Sequence, residues 1–282
     1  MTYSLLLFLA IALAALPVLA ATTLPNPKAM PVPGGDAAPA ASPRTYSDEA
    51  GFQTRGRLLI AALAKEDLSR YRSGPYFGKG GDPGKYIPGP AMARLLLDPK
   101  DADALKYMND DRSPKEVYHF AVVNWARFLP LFRDSLTPDT IATLTASLAK
   151  AGMLVLDDGP GTENHVVMHI TSGVVLPDWV TSERFANLPT AEARGKAQEW
   201  LRWYVKTLYR YGQGEWDSSS YLVFYLNAML NVYDFSKDEE CRLLARAALD
   251  WYAATYALKY VNGMHTGPKE RGWTRGIGSG VD

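Results

Sequence analysis

The sequence predicts an all-α protein assembled from antiparallel helical hairpins, and three observations predict it. Apolar residues recur at three-and-four spacing through most of the chain beyond residue 47. The periodic segments are divided by Pro177, Pro189, Gly212, Gly214 and Asp234, which punctuate helices. Strand-like alternation is confined to short pieces. Amphipathic helices joined by short turns can bury their apolar faces only against one another, so stacked hairpins follow. No sharp internal repeat is present, which sets aside the standard helical solenoids.

The elements follow in order. Leu5 to Leu19 is almost purely apolar, broken by Pro17, and ends in Val18-Leu19-Ala20 before Ala21, a pattern that signal peptidase accepts. Residues 1–20 therefore read as a cleaved secretory leader, although its start carries no Lys or Arg. A membrane anchor would need about 20 apolar residues, and no Cys follows the leader to carry a lipid. Residues 21–46 hold Pro25, Pro27, Pro31, Pro33, Pro39 and Pro43 among small residues, and read as a linker. The helical domain is expected over 47–282. It opens with a helix from Ser47, its N-cap, to Ser73. The Gly-rich stretch 74–90 reads as a loop. It is not a phosphate loop, because Lys79 stands where Gly is needed, Tyr86 where Ser or Thr is needed, and Pro83 lacks an N–H. Helical segments follow at 91–97, from Asp101, and at 114–133. Thr137-Pro138-Asp139 caps a helix to Lys150 that ends at Gly152. After a turn at 157–161, helices are expected at 164–178, 191–211, 218–233 and 238–261.

Composition narrows the partners. Thirty Lys and Arg balance thirty Asp and Glu, so the chain lacks the basic field that nucleic acid selects. The single Cys241 excludes an internal disulfide and reads as a small packed hydrophobe. With the leader removed, no membrane partner is expected, and the mature chain is expected to be a monomer in the periplasm or outside the cell.

Three polar clusters stand at helix ends. Gly161-Thr162-Glu163-Asn164-His165 precedes an apolar helix; Thr162 or Asn164 would cap it, but capping leaves His165 unexplained. The positive helix end would keep a histidine neutral and usable as a base. His165 and His169 share one face, a spacing used by zinc helices, but Val166 occupies the position of the metalloprotease Glu, and no metal is expected. The second cluster, Tyr209 to Tyr221, presents Glu215, Trp216 and Asp217 after Gly212 and Gly214. Aromatic faces beside carboxylates and hydroxyls suit a sugar; a capping cluster with Trp216 in the core is the alternative. No G-x-S-x-G elbow accompanies the serines. The third cluster, Asn262 to Trp273, contains His265, Arg271 and Trp273. Counting hairpins puts the three loops on one rim.

Glu163-Asn164-His165 opening a helix, and Tyr221 opening the helix Leu222 to Tyr233 at a similar interval, resemble the (α/α) toroid polysaccharide lyases, most closely the alginate-lyase-like type, and related uncharacterised bacterial toroid proteins. The resemblance covers residues 114–261. It implies an incomplete (α/α) toroid, since the chain carries fewer long helices than a closed one before its Gly-rich end, as a truncated gene product would. It implies β-elimination on a uronate-containing polysaccharide without a cofactor. Asn164 would quiet the uronate carboxylate, His165 or Tyr221 would remove the C5 proton, and Tyr221 would protonate the leaving oxygen. Glu163, His169, Trp216, Asp217, Trp125, His265, Arg271 and Trp273 would contact sugar. The lyases carry an Arg a few residues before the Tyr, where this chain has Glu215 and Asp217, with Arg210 and Arg271 further away. Two acids beside an aromatic also suit a glycoside hydrolase. A non-catalytic carbohydrate-binding or truncated toroid domain, stacking sugar on Trp125, Trp216 and Trp273, is the third reading.

Overall fold

A helix that is apolar all round must be enclosed, whereas one with a single apolar stripe can face water, and the chain alternates these two kinds. The computed structural model describes residues 49–73, 82–110, 112–151, 162–216, 218, 221–261 and 264–265. The leader, the linker and the turn at 157–161 lie outside the described residues. The fold is predominantly helical: α1 (Glu49–Leu63), α2 (Arg70–Ser73), α3 (Pro83–Tyr86), α4 (Pro88–Leu97), α5 (Ala102–Met108), α6 (His119–Phe132), α7 (Pro138–Lys150), α8 (Glu163–Val175), α9 (Thr190–Tyr211), α10 (Leu222–Phe235) and α11 (Glu239–Ala257). Among the described residues, no helix is long and apolar enough to cross a membrane.

Helices α6, α8 and α10 form an inner layer. Phe120 to Leu129 of α6 are all buried, as are Val167 to Val175 of α8 and most of α10. These three helices pack against one another. They run in the same direction: Phe120 meets Phe224 and His165 near one end, while towards the other Arg127 meets Asp234 and Trp179, just after α8, donates to the Phe235 carbonyl. The intervening helices return outside them and bury only a stripe. That stripe is Thr140, Leu144 and Leu148 in α7, Ala193, Ala197, Leu201, Tyr204, Val205 and Leu208 in α9, and Cys241, Ala245, Ala248 and Tyr252 in α11. The alanines let the outer helices approach closely. Cys241 is fully buried, and burial pushes its thiol up to about 12.

Helix starts follow their caps. Thr137 Oγ1 accepts from the Thr140 amide, and Asp238 accepts from the Cys241 amide, each at the head of an outer helix. The helix expected over 47–73 is interrupted, since Asp67 draws the Ser69 amide and hydroxyl into a turn between α1 and α2. The stretch 74–90 is partly helical: Pro83 and Pro88 each occupy the first turn of a short helix, where the missing N–H has no cost. Among the described residues there are two short antiparallel strand pairs, Arg184–Phe185 with Leu188–Pro189 between α8 and α9, and Tyr260–Val261 with Met264–His265 after α11. In the first, Ala186 and Asn187 both take positive φ, and their amides donate to the Leu148 and Ala149 carbonyls at the end of α7.

One charged pair crosses the inner layer. Arg127 donates from Nε to Asn231 Oδ1 at 2.9 Å and from Nη2 to Asp234 Oδ2 at 2.8 Å, while Asn231 Nδ2 donates to the Val123 carbonyl. The Arg127 side chain is 1% exposed. Removing one member strands the other in a dry interior. Asp234→Ala is expected to destabilise the fold by about 3–5 kcal/mol in urea unfolding, and the double variant Arg127→Met/Asp234→Leu by less than that single change.

Candidate functional site

Because the inner helices are parallel, their first turns meet at one rim, and the first two polar clusters meet there with them. Glu163 and Glu215 bind each other's backbone neighbourhood. Glu163 Oε2 accepts the Glu215 amide at 2.7 Å, and Glu215 Oε2 accepts the Asn164 amide at 3.0 Å. Glu215 thus caps α8 from a distant segment; Thr162, at the N-cap position, makes no side-chain cap. Tyr225 places its hydroxyl 2.7 Å from Glu215 Oε2 and 3.1 Å from Glu163 Oε2. Behind it, Tyr204 donates to Glu163 Oε1 at 3.3 Å and pairs with the Tyr252 hydroxyl at 2.8 Å. Burial raises the Glu163 carboxyl, against the pull of the Glu215 amide and the two tyrosines. Burial, then the Glu163 carboxylate, pushes the Tyr225 phenol far up, so it stays a donor.

Glycine makes this approach possible at two positions. Gly212 ends α9 at φ +86°, and a Cβ on Gly214 would lie 2.9 Å from Glu163 Oε2. Asn164 is fully buried, and its amide nitrogen donates to Glu215 Oε2 and to Thr162 Oγ1, both at 2.6 Å. Both amide hydrogens are therefore committed inside the protein.

Beside the carboxylates lies a histidine cluster. The His119 and His165 rings stack at 3.6 Å between centroids, tilted by 19°, and His169 meets His119 edge-on at 5.4 Å. Burial, then His165, His169 and Lys85, pushes His119 down to about 3; burial and then His165 push His169 down to about 4. His119 and His169 are neutral at pH 7. Among the described residues, no group of three or more His, Cys, Asp or Glu has the arrangement of a metal site. The His119 and His165 rings lie nearly parallel, face to face.

An aromatic floor joins this cluster to α10. Phe120 lies 5.7 Å from His165 and 4.8 Å from Phe224, and Tyr221 lies 6.3 Å from Phe224. Lys85 reaches over it, with Nζ 4.0 Å from the Phe120 centroid and 5.3 Å from that of Phe224. His165, Tyr221 and Lys85 are all half-buried. The rim therefore brings an imidazole, a phenol and an ammonium around one apolar floor.

The other expected site residues are placed as follows. Trp125 is 3% exposed and packs on Phe128, so its faces are covered by the core. Trp216 is half-buried, edge-on to Trp251, with Lys259 Nζ 3.5 Å over its ring. His265 is described only as part of a strand. Asp217, Arg271 and Trp273 lie outside the described residues. Sequence reasoning missed His119, although it opens an inner helix parallel to that of His165. It also missed Lys85, within the 74–90 stretch read as a loop, and the three tyrosines behind Glu163. Comparison of the chain with protein-family models, with characterised proteins and with solved structures found no match.

The depressed histidines set an acid dependence. Their unfolded value is 6.5 and their folded values are lower, so their neutral rings stabilise the fold fully above 6.5. That stability is lost as pH falls from 6.5 towards about 4 and then about 3. Urea titrations are expected to show wild type losing more unfolding free energy than His169→Phe between about pH 7 and about pH 5. Equal losses would mean that His169 is not held neutral.

Proposed function

We propose that the chain is a secreted or periplasmic polysaccharide lyase that cleaves a uronate-containing polymer by β-elimination, on an incomplete (α/α) toroid whose inner helices are α6, α8 and α10. The reading is supported above all by one observation: His165 and Tyr221 open neighbouring parallel helices and flank the same Phe120–Phe224 floor. Elimination needs a base for the C5 proton, an acid for the leaving oxygen and a group that quiets the carboxylate. In this scheme His165 takes the C5 proton as the C4–O4 bond breaks, and Tyr221 gives its phenol proton to O4. The products are a new chain end and a 4,5-unsaturated uronate. The secreted location rests on the apolar leader in the sequence.

A second reading, glycoside hydrolysis, draws on Glu163 and Glu215, which share the Tyr225 hydroxyl, and on the raised Glu163 carboxyl. Against it, Glu215 Oε2 already takes the Asn164 amide, the Asn164 side chain and Tyr225. Those bonds give Glu215 structural work.

The full chain, incubated with a panel of polyuronates, is expected to generate the ultraviolet absorbance of unsaturated uronates. Tyr221→Phe and His165→Ala should each lower that rate by at least about a hundredfold. New reducing ends without absorbance would favour the hydrolase. Sugar binding that survives His165→Ala, with no bond cleavage, would favour a non-catalytic binder.

A further inference from the structure

We propose that one proton, carried by Glu163 and linked through Tyr225 to Glu215, locks the rim, and that its release to water as pH rises frees the segment after α9 from the head of α8. The inference goes beyond the lyase reading and does not depend on it. Hydrogen counting carries it, because a phenol brings one hydrogen. Tyr225 Oη lies 2.7 Å from Glu215 Oε2 and 3.1 Å from Glu163 Oε2. Given to the nearer oxygen, its hydrogen leaves two oxygens facing each other at 3.1 Å unless Glu163 brings another. Glu215 Oε2 also accepts the Asn164 amide and side chain, so three donors converge on it, as on an anion. Glu163 receives less, the Glu215 amide on Oε2 and a longer bond from Tyr204 on Oε1. The proton therefore sits on Glu163 Oε2, which donates to Tyr225 Oη, which donates to Glu215 Oε2.

Glu163 has no cation to balance a charge of its own. It is faced by Glu215 from the segment after α9, by Tyr204 of α9, by Tyr225 of α10 and, behind Tyr204, by Tyr252 of α11. His165 and His169, on α8 itself, turn to His119 of α6. Among the described residues, no Lys or Arg stands against Glu163. Burial, with a smaller push from the Glu215 charge, raises the Glu163 carboxyl above 4.5, against the Glu215 amide and the two tyrosines. The route of opening is set by glycine. Gly214 is exposed and lies against Glu163 Oε2, and Gly212 turns the backbone at φ +86°. Once ionised, Glu163 loses its bond to Tyr225 and stands beside a second charge, and moving the glycine segment aside lets water reach it. Because the folded value is raised, the stability this proton contributes is complete below 4.5 and is lost as pH rises through the folded value. That sense is opposite to the one set by the histidines.

Carbon-13 NMR of the full chain with labelled glutamate carboxyls follows the proton, and amide exchange, corrected for the intrinsic rate at each pH, follows the lock. The Glu163 carboxyl is expected to titrate above the 4.5 ordinary for a glutamate. Across that titration the protection of the Glu215 and Asn164 amides should fall at least about tenfold while that of Val174 holds. In Glu163→Gln, whose side-chain amide keeps a hydrogen at every pH, the fall should be absent. Titration of Glu163 at the ordinary value would overturn the proposal, and so would late titration with both amides still protected. An equal fall in Glu163→Gln would overturn it as well. Should that variant fail to fold, the carboxyl titration and the exchange of wild type decide the matter by themselves, since the proposal requires the two to share one midpoint.

Discussion

The rim depends on one reciprocal exchange: Glu163 holds the backbone of Glu215, and Glu215 holds the backbone of Glu163's neighbour Asn164. Two carboxylates brought together out of water repel each other and lose hydration, so the arrangement exists only because donors surround it. The Glu215 and Asn164 amides, the Asn164 side chain and the Tyr225 and Tyr204 hydroxyls are those donors. The consequence is positional. The segment after α9 is locked to the head of α8 a few residues before α10, whose first turn carries Tyr221 and Phe224. His165 follows Asn164 directly and inherits the same anchorage.

A second constraint lies deeper. Helices enclosed on all sides have no solvent face to fix their rotation, and a purely apolar inner layer could slide or turn with little change in buried area. Arg127, with its bonds to Asn231 and Asp234, supplies direction to that layer by tying α6 to α10 at a single register. That register brings Phe120 to Phe224 and so builds the floor on which His165, Tyr221 and Lys85 converge. The polar groups in the interior thus act mainly as locators, while His165, Tyr221 and Lys85 stay half-buried at the rim.

The helical class was legible because the outer helices carry clear stripes, Ala193-Ala197-Leu201 and Cys241-Ala245-Ala248 among them, and because Thr137 and Asp238 mark starts that the structure uses. The meeting of the 163 and 215 loops was legible from hairpin parity alone. Other features were not. Pro83 and Pro88 read as loop residues because a first-turn proline and a loop proline look alike in one dimension. The Tyr204–Tyr252–Tyr225 group escaped notice because each tyrosine sits in an apolar stripe, where a phenol reads as core. His119 and Lys85 come from segments that precede the clustered motifs by tens of residues, and only packing brings them to His165.

Amide hydrogen exchange at two positions tests the central claim, that Glu163 and Glu215 hold the rim together as one unit. In wild type the Asn164 and Glu215 amides should be protected together, and Glu163→Ala should release both while amides at the far end of α8, such as that of Val174, stay protected. Loss of protection at Glu215 with Asn164 unchanged would show that the two carboxylates act separately, and the account of the rim would be wrong.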